Sequence, residues 1–186
     1  FVEDGWSLKK LHRLIVTSEA YQRSSAARPD LVDKDAPNLL LARQSRIRLD
    51  AEIVRDNALA VSGLLVRKVG GRSVRPYQPA GFYRHLNFPK RSWKADAGDA
   101  LYRRGMYTYL CRTFMHPSLA AFDAPSREEC TVERVRSNTP QQALVLLNDP
   151  TYVETARIFA ERILHESSKD TQARITFAYQ QALHRN

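Results

Sequence analysis

A chain of 186 residues can bury a core without disulfides or a structural metal, and its length favours one domain over 1–186. Its 29 Lys+Arg against 20 Asp+Glu give a net charge of +9, but 22 of the basic residues are arginines scattered among carboxylates, so internal ion pairing outranks a phosphate-binding face and nucleic acid is not an expected partner. No apolar run reaches membrane-span length and no secretory leader is recognisable, while a start at Phe1 and a helical pattern running into YQQALHRN lead us to expect a piece of a longer protein.

Ser7 stands as an N-cap before LKKLHRLIV, where Leu8, Leu11, Leu14 and Ile15 recur at helical spacing. The polar run RSSAARPDLVDKDAPN at 23–38 holds two prolines and reads as a connecting loop. A second helix is expected in RIRLDAEIVRDNALAVSGLL, with Ile47, Ala51, Val54, Ala58, Val61 and Leu65 as its apolar stripe and Gly63 near its end. From 66 to 105 the periodicity vanishes into Gly, Pro and aromatic residues. Tyr77, Phe82, Tyr83, Phe88 and Trp93 argue against simple disorder, so this insertion is expected to pack over the helices, with room for a short strand pair. In ALYRRGMYTYLCRTFMHP, Met106, Tyr109, Leu110 and Phe114 fit helical spacing better than alternation, and Pro117 ends the run.

The segment SNTPQQALVLLNDP reads as punctuation between helices. Thr139 and Gln142 have capping-box spacing, Pro140 takes the first helical position, Ala143, Leu144 and Leu147 are apolar, and Asn148 suits a left-handed stop. Asp149 and Pro150 repeat the cap-plus-proline pattern ahead of TYVETARIFAERILHE, whose Val153, Ala156, Ile158, Phe159 and Ile163 form one face. Asp170 then caps a last helix carrying Ile175, Ala178, Tyr179, Ala182 and Leu183. The fold class is mainly α: a compact helical domain with a long irregular insertion at 66–105.

Chemistry could reside in the carboxylates Asp50, Glu52, Asp56, Asp123 and Asp149, since like charges four apart on a helix raise one pKa. Arg48 and Arg55 nearby favour instead a paired, ionised cluster that orients the second helix. Histidines 12, 85, 116, 165 and 184 lack metal-ligand spacing, so no metal is expected. Cys111 reads as a small buried hydrophobe, Cys130 lies among glutamates that disfavour a thiolate, and the spacing of the two leaves a disulfide open. GGRS at 70–73 is a weak phosphate-loop signal. Polar density is highest along Asp123, Arg134, Arg136, Asn138, Gln141 and Asn148, which either satisfy loop backbone or line a polar pocket.

The segments GWSLKKLHRLIVTSEAY, RLDAEIVRDNALAVSGLL, GGRSVRPYQP and HPSLAAFDAPSREECTVERVRSNTPQQALVLLNDP, in this order, resemble a planctomycete-specific domain of unknown function. That domain lies toward the C-terminus of large proteins that often begin with a planctomycete-type cytochrome c domain. The likeness spans nearly the whole chain. Family positions fall on Arg48, Glu52, Arg55 and Asp56, on Gly70, Gly71, Tyr77, Gln78 and Pro79, on Asp123, Pro125 and Cys130, and on Asn138, Thr139, Gln141, Asn148 and Asp149. Arg72 and Arg75 depart from the usual residues around the GGRSVRPYQP segment. The resemblance implies an exported parent, periplasmic or on the cell surface, with a further domain between the cytochrome and this one, and it implies no activity. This chain has no CxxCH, so any haem belongs upstream and no cofactor is expected here.

Two readings follow. In the first, the chain is a helical accessory or binding module contacting its upstream domains or an extracellular ligand such as a glycan. In the second, it supplies part of an active site for a carbohydrate-like substrate. The candidate ligand-binding residues are Arg55, Asp56, Asp123, Arg136, Asn138 and Gln141. Convergence of Asp56, Asp123 and Arg136 on one pocket would favour the second reading.

Overall fold

The computed structural model describes residues 1–31, 34–84, 90–111 and 113–184, so Phe88 and His85 of the sequence reading lie outside it. The chain is mainly α, with seven α-helices and no named strand among the described residues. Its contacts group into two compact units, residues 1–48 and 49–186.

The first unit is built from local caps. Ser7 accepts from the Lys10 amide at 3.4 Å to start α1 (Leu8–Val16), and Ser18 accepts from the Tyr21 amide at 3.3 Å to start the single turn α2 (Glu19–Gln22). The proline-bearing loop that follows is held by side chains. The Asp35 carboxylate accepts the Leu39 and Leu40 amides at 2.8 and 2.9 Å, and the Asn38 amide exchanges two bonds with the Arg43 backbone. Leu8, Leu14 and Ile15 of the expected α1 stripe are exposed, and among the described residues of this unit Asn38 is the buried one. Among the described residues no helix is long and apolar enough to cross a membrane.

In the second unit α3 (Ala51–Ser62) begins five residues later than the periodicity suggested. Asp50 is extended at the N-cap, and its carboxylate faces Arg134 and Arg136 at 3.5 and 3.9 Å instead of the helix amides. Gly63, at φ +84°, stops the helix in the left-handed region that glycine adopts freely. The buried face is Ala51, Arg55, Leu59 and Ser62, one step round from the expected stripe, and Ile47 lies exposed before the helix. A guanidinium at an inward position hid that face from a hydrophobicity count.

Around α3 pack α4 (Pro117–Ala121), the 3-10 turn Gly105–Tyr107, and α6 (Pro150–Glu166), which also meets α5 (Pro140–Asn148) and α7 (Thr171–Leu183). The expected helix through Met106, Tyr109, Leu110 and Phe114 is absent; the segment forms 3-10 turns at Gly98–Tyr102 and Gly105–Tyr107 and then runs extended. Its backbone is taken by the insertion instead. Val66 pairs with Arg103 and Val74 with Thr108 in isolated parallel bridges, with the Val74 amide on the Tyr107 carbonyl at 2.8 Å and the Tyr109 amide on the Val74 carbonyl at 2.7 Å. These bridges replace the anticipated strand pair.

Asp149 and Asp170 cap α6 and α7 as read, accepting the Thr151 and Ala173 amides at 2.8 and 2.9 Å. The capping box at α5 does not form: Thr139 makes no side-chain cap bond, and Gln142 turns inward to Ser137 and Asp123. Nor does Asn148 adopt the left-handed stop. It stays helical, donates to the Leu144 carbonyl at 2.8 Å, and the extended Asp149 both ends α5 and begins α6. On α6 the buried residues are Tyr152 and Thr155, while Val153 of the expected face is exposed.

Candidate functional site

The acidic residues of α3 meet arginines far along the chain. Arg134 grips Glu52 with two guanidinium nitrogens at 2.7 and 3.4 Å, and Arg127 approaches it at 3.6 Å. Burial pushes the Glu52 carboxyl up, but the Arg134 hydrogen bond, a backbone hydrogen bond and the charges of Arg134 and Arg127 together outweigh it and hold the carboxyl below its usual range. Asp56 accepts the Gly105 amide at 2.5 Å and Arg104 at 3.5 Å, joining α3 to the 3-10 turn.

The six candidate residues occupy different neighbourhoods. Arg55 is buried and donates to the Leu101 carbonyl at 2.5 Å, its Nε without a partner. Burial lowers its pKa, against the pull of Tyr152, Asp149 and Asp56. Asp123, at φ +60°, accepts the Ser137 amide at 2.7 Å, the Ser137 hydroxyl and the Gln142 amide. Arg136 faces Asp50. Asn138 and Gln141 are exposed, and it is Gln142 that turns into the network. Asp56, Asp123 and Arg136 are thus each engaged by separate neighbours.

The GGRS segment is the reverse of an anion site. Arg103 donates to the carbonyls of Arg72, Lys68 and Gly70 at 3.0, 3.1 and 2.5 Å and lies 3.9 Å over the Tyr107 ring, so the turn wraps its oxygens around a cation. The Gly70 amide donates to the Tyr107 hydroxyl at 2.8 Å.

The insertion supplies a cavity of its own, about 530 Å³, within the range of roughly 300–1,000 Å³ usual for ligand sites. Its described lining comes from 78–84 and 90–93: Gln78, Phe82 and Tyr83 on one arm, Lys90, Arg91 and Trp93 on the other, with Arg84 beside them. The wall is fixed from behind. Trp93 donates its indole N–H to the Pro76 carbonyl at 2.8 Å, meets Tyr83 edge-on at 5.6 Å between centroids, and contacts Tyr109 and His116 at 6.1 and 5.7 Å. Phe82 and Tyr83 pack on Phe114 at 5.4 and 6.1 Å. His116, buried and held neutral by that burial, donates from Nε2 to the Tyr77 carbonyl at 2.7 Å and accepts from Ser118 on Nδ1 at 3.0 Å.

One polar group of this wall has no hydrogen bond among the described residues: the Gln78 amide, on a residue 6% exposed, leaves both its oxygen and its nitrogen unpartnered. Buried polar groups are ordinarily satisfied, so such an orphan marks a place where a ligand group or water belongs. The Tyr83 hydroxyl lies beside the Cys111 thiol, and burial first, then that thiol, pushes its pKa up to about 12. Arg91 donates to the Cys111 sulfur at 2.7 Å. Burial raises that thiol's pKa, but Thr113, the Phe114 amide and Arg91 outweigh it and leave it below its ordinary value. Cys111 is buried and Cys130 exposed, both free.

Apart from Gln78 and Pro79, which fall on family positions, none of the cavity residues stood out in the sequence beyond being aromatic; the signal available was the interleaving of rings and bases in GFYR and KRSW. The chain belongs to the family described as PSD1, protein of unknown function (DUF1553), whose model matches residues 1–186. Neither the curated proteins nor the solved structures give a match.

Proposed function

We propose that this member of a family of unknown function is a binding module, and that the cavity lined by 78–84 and 90–93 takes a carbohydrate-like extracellular ligand. The observation that carries the reading is an aromatic wall locked by its packing beside a buried amide with no partner. Rigid aromatic surfaces with a few fixed polar groups are how concave sites hold small ligands. In this reading the module sits in an exported, periplasmic or cell-surface planctomycete protein with a cytochrome c domain upstream, which would hold the haem, and has no cofactor of its own. Exposed apolar residues on the outer helices, among them Leu144, Leu147, Ile175 and Tyr179, are suited to contact with upstream domains of that parent. The alternative, a share in an active site built from Asp56, Asp123 and Arg136, is disfavoured because each group already holds a different piece of backbone or charge.

The test is a titration of saccharides read by tryptophan fluorescence in a Trp6→Phe background, which leaves Trp93 as the reporter. A saturable change with micromolar to millimolar affinity, lost in Phe82→Ala, which keeps the Trp93 reporter, while the fold persists, is the expected result. No response to any saccharide, or a response that Phe82→Ala leaves unchanged, refutes the reading.

A further inference from the structure

The cavity lining contains Arg84, Lys90 and Arg91 and no carboxylate among the described residues. These three cations differ in availability. Arg91 is engaged at the Cys111 sulfur, whereas Arg84 and Lys90 are exposed and pair with no acid among the described residues. The acid nearest in sequence, Asp96, is engaged elsewhere: it accepts the Arg75 amide at 2.8 Å and Arg72 at 3.2 Å. A rim with two unpaired positive charges, above a largely apolar wall, attracts a ligand that is anionic at one edge and apolar at another.

Resting on the reading of this cavity as a saccharide site, we infer that its ligand is an anionic saccharide, one bearing a sulfate or carboxylate substituent. Arg84 and Lys90 hold the charged group, and the Phe82 and Trp93 rings face the apolar side of a sugar ring. The Gln78 amide, shut off from solvent and bonded to nothing among the described residues, breaks no hydrogen bond there when it turns toward a hydroxyl pair, which both donates and accepts as the amide does. The inference uses the part of the net charge that internal pairing leaves over: the carboxylates of α3 and its N-cap Asp50 take up Arg104, Arg127, Arg134 and Arg136, and the Arg103 guanidinium is enclosed by carbonyls, but Arg84 and Lys90 have no such partner among the described residues.

The experiment titrates the 186-residue chain with a sulfated oligosaccharide, a uronic-acid oligosaccharide, and the uncharged oligosaccharide of the same backbone, with inorganic sulfate as a fourth probe. Two variants accompany it: Arg84→Ala with Lys90→Ala in the cavity rim, and Lys9→Ala with Lys10→Ala on the exposed face of α1. Expected is binding of at least one charged oligosaccharide at least tenfold tighter than of its uncharged counterpart. That preference should weaken with added salt, be lost in the rim variant, and persist in the α1 variant. Equal binding of charged and uncharged oligosaccharides, unaffected by the rim variant, overturns the anionic inference and leaves the saccharide site standing. Inorganic sulfate bound as tightly as the sulfated oligosaccharide overturns the saccharide part. Charged binding abolished equally by both variants reveals general attraction to a basic surface and overturns it as well. Failure of every oligosaccharide to bind removes the cavity reading itself.

Discussion

Gly105 is where the insertion's closing turn touches the α3 backbone, and replacing it with alanine tests whether that contact organises the second unit. A Cβ at this position would lie 2.9 Å from the Glu52 carbonyl oxygen, 3.0 Å from its Cα and 3.2 Å from its Cβ, whereas ordinary contact begins near 3.4 Å. The two nearest atoms are helix backbone, so neither can swing aside. The turn must retreat from α3 by roughly half an ångström or more, and doing so stretches the 2.5 Å bond from the Gly105 amide to Asp56. Overpacking of this kind costs about 1–3 kcal/mol. Weakening a charge-assisted bond removes part of a further 1.5–3 kcal/mol or so. Against these, alanine restricts the unfolded chain and returns about 0.4–1 kcal/mol. The net expectation is a loss of about 2–4 kcal/mol, which at a urea slope of about 2 kcal/mol/M lowers the midpoint by about 1–2 M. Gly98→Ala is the control: it lies at φ +60° with nothing within 4 Å of the added methyl, so only the left-handed penalty of roughly 1–2 kcal/mol applies. An unchanged or raised midpoint for Gly105→Ala, at unchanged slope, would refute the contact as a determinant of stability.

Asp123→Ala should cost about 2–3 kcal/mol in urea unfolding, because it strips acceptors from Ser137 and Gln142 and places alanine at a left-handed φ. Thr139→Ala should change the unfolding free energy by less than about 0.5 kcal/mol in urea, since the threonine makes no side-chain cap bond; a loss near 1 kcal/mol would show the cap forms in solution. Burial lowers the His116 pKa, so between its ordinary value near 6.5 and its lower folded value the unfolded chain binds the extra proton. Stability should therefore fall as pH drops below about 6.5, and His116→Gln should flatten that limb measured by pH-dependent unfolding. Glu52, with its pKa lowered, adds stability present above its unfolded value and lost as pH falls further, an effect Glu52→Gln should remove from the acid limb. Duplex DNA should bind weakly and without sequence preference at physiological salt, and a submicromolar dissociation constant by fluorescence titration would contradict the pairing of arginines with carboxylates around α3.

What the sequence determined by itself was what short-range chemistry controls. The Ser7, Asp149 and Asp170 caps and the Gly63 stop depend on one residue and the next turn, so they could be read without knowing anything distant. The mainly helical class follows from the same local periodicities. Tertiary structure decided which helix faces are buried and which polar groups meet. Arg55 and Gln142 occupy inward positions that hydrophobicity assigns to the surface, because each finds a partner far along the chain, Leu101 for one and Asp123 for the other. The helix expected around Met106 and Tyr109 yielded for a related reason: its amides and carbonyls bond to Val66 and Val74, and no local pattern encodes a partner more than thirty residues away. The cavity is the extreme case. Its two arms, 78–84 and 90–93, have no periodicity of their own and take their positions from Phe114, Tyr109 and His116 behind them, so rings and bases that read as loop packing become a site only when the rest of the unit is in place.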